Sequence, residues 1–244
     1  LSVSDAPTSS FAPTRWTLVL RTRGESAESR AALSELCEAY YQPVLKFLRH
    51  EGREEDTARD LAHDFFARIL AGGGFAGVAP GRGRFRSYLL GALKHFLADQ
   101  RDHAHRLKRG GGAIPESLHP QSGDDTSPAL QIADPTGDGS DASFDREWAL
   151  TVMDRALVVL AREFDDSHKA GQFKVLKQWL MGDVPSRSQA EAARELGLTE
   201  GALKVAIHRL RKRFREIIRA EIAQTLPDPT QLDEELRHLI AALV

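Results

Sequence analysis

The chain has 244 residues, 41% of them hydrophobic, with 33 Lys and Arg against 35 Asp and Glu and a formal net charge of −2. That length and apolar content suit one or two buried cores. No apolar run approaches the roughly 20 residues of a membrane-spanning helix, a single cysteine excludes an internal disulfide, and the first residues lack the basic start and apolar centre of a secretion signal. The expectation is a cytoplasmic protein without membrane insertion.

Helical periodicity dominates and strand alternation is scarce. A first helix is predicted over residues 29–49, with Leu33, Leu36, Tyr40, Val44 and Phe47 on one side and Pro43 as its point of breakage. Cys37 falls in its apolar stretch and reads as a small buried hydrophobe, because no activating partner can be placed beside it. A second helix is predicted over 57–70, with Ala58, Leu61, Ala62, Phe65, Phe66 and Ile69 inward and glycines at 72–74 as its stop. A loop at 75–84 leads to a third helix over 85–106, with Phe85, Leu89, Leu93 and Phe96 inward. Residues 110–143 are dense in Gly, Pro, Ser, Thr and Asp and read as a flexible linker. From Ile114 to Ser143 that stretch carries Glu116, Asp124, Asp125, Asp134, Asp138 and Asp141 and no lysine or arginine. Helices follow over 148–162 and near 173–181. The last predicted element is an amphipathic tail helix with Leu232, Leu236, Leu239 and Ile240 on one side.

Residues 186–216, SRSQAEAARELGLTEGALKVAIHRLRKRFRE, carry the strongest local signal. Ser188 and Glu191 have capping-box spacing. Ala192, Ala193 and Leu196 face inward, Gly197 suits a left-handed C-cap, Leu198 plugs the turn, and Thr199 caps a second helix. Leu203, Ile207, Leu210 and Phe214 then form one apolar stripe. At 100° per residue the opposite face holds Gly201, Val205, His208, Arg209 and Lys212, flanked by Lys204 and Arg211. Between Lys204 and Arg219 the chain carries seven lysines and arginines against one acid, Glu216. A tight turn followed by a helix with this polar face can enter a DNA major groove, and its cations would neutralise phosphates. The plainer reading of such a face is a solvated basic surface on a helical hairpin.

LTEGALKVAIHRLRKRFRE resembles region 4 of the extracytoplasmic-function sigma factors of bacterial RNA polymerase. DTARDLAHDFFARIL resembles their region 2.2, and GRFRSYLLGALKHFLADQRDHAHR resembles regions 2.3 and 2.4. The order of the motifs and the absence of a domain between them also match, and the resemblance covers most of residues 28–222. It implies an all-α protein of two small helical domains joined by a flexible acidic linker. The expected blocks are an N-terminal extension at 1–27, region 2 at 28–109, the linker at 110–143, a region 4 helix-turn-helix at 144–226 and a tail helix at 227–244. The implied partners are core RNA polymerase and promoter DNA, and an anti-sigma factor or a regulatory protein kinase would restrain activity, with Thr57 a conceivable phosphorylation site. Asp60, His63, Asp64 and Arg68 are the implied polymerase-binding residues, since acids suit a basic partner surface. Arg82, Arg84, Arg86, Lys94 and His95 would meet the −10 element, where the family captures an extruded base. Lys204, Val205, His208, Arg209 and Lys212 would meet the −35 element. The chain departs from many members at His95, where they carry Asn, at Gly91, where they carry Arg, and at Val205-Ala206, where they carry Ser-Arg. Its promoter sequence therefore does not carry over from relatives.

The acidic linker reads equally as an RNA mimic threaded through the polymerase or as an extended tether. No cofactor, metal or catalytic residue is expected. His95, Asp99 and His103 stand four apart, so the outer pair is about 12 Å apart along a helix axis, too far to converge on one zinc ion. The glycine runs lack a Walker lysine, and no nucleophile–base set appears. The competing functional reading is a stand-alone helix-turn-helix regulator with a helical sensor domain.

Overall fold

A computed structural model of the chain describes residues 15–16, 26–73, 83–109, 139–180 and 188–244. Among the described residues the protein is all-helical, with nine α-helices and no strand, and no helix is long and apolar enough to cross a membrane. The linker expected at 110–143 lies outside the described residues except for its last five.

The first predicted helix is two: α1, Ala27–Ala39, and α2, Tyr41–His50. The break falls at Tyr40, not Pro43. Pro43 sits in the first turn of α2, where backbone N–H groups have no intrahelical acceptor, so its missing donor costs nothing. Helix α3, Glu55–Arg68, continues into a π-helical turn, Ile69–Gly73. Helix α4 spans Phe85–Arg109 and α5 spans Gly139–Asp166, starting inside the stretch read as linker. The short α6, Ala170–Leu176, passes into a 3-10 turn, Lys177–Trp179. Helices α7, Gln189–Glu195, and α8, Glu200–Ala223, follow, and α9, Leu232–Ala241, ends the chain.

These helices form two compact units that interleave in sequence. Of the described residues, the first takes 15–16, 26–38, 63–73, 83–109 and 225–227, and the second takes 39–62, 139–180, 188–224 and 228–244. They cut across the sequence blocks 28–109 and 144–226.

In the first unit Phe85, Leu89, Leu93 and Phe96 are buried along α4 as their spacing predicts, and Phe65 packs 5.6 Å from Phe96. Trp16, from the stretch read as an extension, is fully buried. Its ring lies 5.0 Å from Phe85 and 5.1 Å from Tyr88, and its Nε1–H donates to the Gly83 carbonyl at 2.8 Å. Gly83 has φ of +95°, a conformation glycine adopts without steric cost. The Phe85 N–H, one of the orphan donors at the start of α4, donates to the Thr225 carbonyl at 2.9 Å. Cys37 is buried, and burial pushes its thiol up to about 12, so it stays protonated at neutral pH.

In the second unit α5 is the central element. Its C-terminal half joins α6, α7 and α8 in one core built on Ala156, Leu160, Leu176, Trp179, Leu203, Ile207, Leu210 and Phe214. Its N-terminal half meets α2. There Tyr40 stacks on Trp148 with ring centroids 3.7 Å apart and planes 3° from parallel, and Phe47 meets Phe144 edge-on at 6.0 Å. Helix α9 packs against α5 and α8. Leu239 is buried and Leu232 and Leu236 are half-buried, but Ile240 is 54% exposed. Glu235 is buried in its stead, so the packed face of α9 is rotated from the all-aliphatic stripe. Arg219–Asp233 at 2.7 Å and His238–Asp145 at 2.6 Å tie the helix down at its sides.

Candidate nucleic-acid interface

The helix pair α7–α8 is shaped by local interactions that its sequence spells out. Ser188, in extended conformation, accepts from the Glu191 N–H at 3.3 Å, while Glu191 Oε2 accepts from the Ser188 N–H at 2.8 Å. The reciprocal pair satisfies donors that α7 would otherwise leave orphaned. At the other end Gly197 has φ of +64°. The Leu198 N–H donates to the Ala193 carbonyl at 2.8 Å and the Gly197 N–H to the Arg194 carbonyl at 3.2 Å, a Schellman closure. Two residues on, Thr199 accepts from the Ala202 N–H at 3.2 Å and starts α8. The turn between the helices is therefore closed by backbone hydrogen bonds at its first rim and by the Thr199 side chain at its second.

On α8 the stripe Leu203, Ile207, Leu210 and Phe214 is buried, as expected, and extends to Ile217. The cations divide into two groups. Arg211 Nε donates to the Trp179 carbonyl at 2.8 Å. Arg213 forms a fork on Glu163, with Nε 2.9 Å from Oε2, and also reaches Glu216 at 3.2 Å. Arg215 donates to the Arg211 carbonyl and Arg219 pairs with Asp233. Arg211, Arg213 and Arg219 thus fasten α8 to other elements of its own unit, while the Arg215 bond stays within the helix. Lys204, Arg209 and Lys212 are exposed, and no hydrogen bond or ion pair holds them among the described residues. With exposed His208 and half-exposed Val205 they make the face opposite the core. An exposed valine flanked by unengaged cations can meet a thymine methyl while its neighbours meet phosphates.

The Arg213 fork was not legible in the sequence, because Glu163 lies on another helix. Its hydrogen bonds hold the Glu163 carboxyl below its ordinary value of 4.5 and raise the Arg213 guanidinium further. A carboxylate with a depressed folded pKa stabilises the fold above its unfolded value and loses that contribution as pH falls through the folded value. Glu163→Gln is therefore expected to lower stability at neutral pH by a few tenths of a kcal/mol to about 1 kcal/mol, since water screens both groups. The deficit should close on acidification below 4.5. Urea midpoints of both proteins across this range check it, and a deficit constant with pH would assign the loss to another cause.

The residues expected at the −10 element are placed unequally. Arg82 lies outside the described residues. Arg84 and Lys94 are half-exposed and His95 is exposed, 3.5 Å from Asp99. Arg86 does not supply surface charge: it is 6% exposed, because it shares the flank of α4 that carries Leu89, Leu90 and Leu93 into the core. On α3 all four expected polymerase-binding residues, Asp60, His63, Asp64 and Arg68, are exposed. Asp60 and Asp64 have no ion pair among the described residues, whereas Arg68 is held by Asp99 at 2.9 Å. Thr57 is exposed in the first turn of the same helix.

Comparison of the chain with models of known protein families, with curated proteins and with solved structures returns no match.

Proposed function

We propose that this protein is a transcription initiation factor of the sigma kind, which binds core RNA polymerase and directs it to particular promoters. The observation that carries its DNA-binding part is the division of cations on α8. The arginines that fasten the helix are paired, while Lys204, Arg209 and Lys212, on the face opposite the core, have no partner among the described residues. A helix presented after a rigid Schellman turn, with that face outward, meets the requirements for major-groove entry. The polymerase-binding part rests on the resemblance of residues 57–70 to region 2.2 and on the exposed acids Asp60 and Asp64 of α3. Regions 2 and 4, the tether between them and a restraining anti-sigma factor or kinase belong to the same proposal.

Reconstitution with core polymerase and promoter-dependent run-off transcription tests it directly. Asp60→Arg combined with Asp64→Arg should weaken core binding at least tenfold, because two attractive charges become repulsive toward a basic surface. The fold should survive, since both sites are exposed. Undiminished binding by a folded double variant would move the polymerase contact off α3.

A second reading draws on the contact of α2 with α5, which puts part of the N-terminal stretch in the same compact unit as the helix-turn-helix. A stand-alone regulator with a helical sensor would be built that way. It would bind duplex DNA tightly without polymerase, as a dimer, and gel-shift with purified protein separates the two.

A further inference from the structure

Resting on the reading of residues 28–109 as the polymerase-binding part of the chain, we infer that the α2–α5 contact is an autoinhibitory latch, closed in the free protein and opened when polymerase takes up α2 and α3. The contact has a hydrophobic centre and a polar rim. At the centre Tyr40 and Trp148, each 1% exposed, stack face to face, and Phe47 closes on Phe144. At the rim Lys46 Nζ lies 2.6 Å from Glu147 Oε2, with the lysine side chain 49% exposed.

Two features make this contact separable from the fold around it. First, α5 serves two masters along its length. Phe144 and Trp148 meet α2, whereas Ala156 and Leu160, about two turns and more further on, belong to the helix-turn-helix core. Losing α2 uncovers aromatic surface but leaves the α5–α8 core in place. Second, α2 is joined by a short turn to α3, whose exposed acids are the proposed polymerase contact. A partner that draws α3 to itself acts directly on α2. The latch then works by population: the apparent affinity for polymerase is the intrinsic affinity scaled by the open fraction.

The test uses the full-length chain, core polymerase and the rim pair, because truncating Tyr40 or Trp148 leaves a cavity at the contact and changes the stability of the second unit together with the latch. Lys46→Glu places two acids together at the rim without disturbing the buried rings. It should bind core polymerase roughly three- to tenfold more tightly than the natural chain, by raising the open fraction. The exchange Lys46→Glu with Glu147→Lys should restore the original affinity. Hydrogen exchange of residues 144–152 should be slow in the free protein and faster in the polymerase complex. If polymerase binds both proteins equally and residues 144–152 stay protected in the complex, the contact is ordinary core and the latch is overturned, while the proposed function stands. If neither protein binds polymerase, the functional reading fails and the latch with it.

Discussion

Replacing Lys204, Arg209 and Lys212 together by alanine is expected to lower DNA affinity on the order of several hundredfold near 0.1 M salt, with little change in the DNA sequence preferred. The three side chains are exposed and unengaged among the described residues, so their removal breaks no contact that holds α8 in place. Each phosphate neutralised releases about 0.9 counterion from duplex DNA, so losing three should flatten the log–log salt slope by roughly 2.7. Val205→Ser should behave oppositely. Half of Val205 is exposed, it carries no hydrogen-bonding group, and its best target is a thymine methyl. The serine variant should keep the salt slope and blur one column of a binding-site selection. Salt titrations and selection on the polymerase complex read both effects. A blurred motif from the lysine and arginine changes, with a sharp one from Val205→Ser, would mean that α8 sits in the groove rotated from this assignment.

Trp16→Ala is expected to cost about 3–5 kcal/mol, a large share of the roughly 5–15 kcal/mol by which domains of this kind are stable. The ring is fully buried against Phe85 and Tyr88, and burying a tryptophan removes about 150–250 Å² from water. The change also strips the Gly83 carbonyl of its donor. Trp16→Phe, which keeps most of the apolar area and loses only the N–H, should cost clearly less. Chemical denaturation of the two variants gives the answer. A loss under 1 kcal/mol for the alanine variant would show that the ring is not held in the folded protein.

The interleaved units and the position of Trp16 bear on how chain boundaries are drawn. A fragment beginning after residue 27, as the sequence blocks suggest, would omit a core residue of the first unit. A fragment ending before Thr225 would remove the acceptor for the Phe85 N–H.

What the sequence determined by itself is what depends on neighbours a few residues apart. The capping box at Ser188, the left-handed Gly197, the cap at Thr199 and the stripe from Leu203 to Phe214 are all local, so spacing was enough to write α7, the turn and α8. The helical class followed for the same reason, since the period of apolar residues is set by the helix itself. The outward set Lys204, Val205, His208, Arg209 and Lys212 followed as the complement of that stripe. The tertiary structure decided what depends on distant partners. Arg86 reads as one more surface arginine until the packing of α4 places its flank in the core. Arg211 and Arg213 look like their basic neighbours until Trp179 and Glu163 arrive from other elements to engage them. Trp16 stands just ahead of Leu18, Val19 and Leu20, an apolar run too short for a helical period to mark its buried side, and the aromatic pairing of α2 with α5 joins residues about a hundred positions apart. Periodicity states which side of a helix will be buried, but not which partner buries it, because that choice is made by shape and charge between segments remote in the chain.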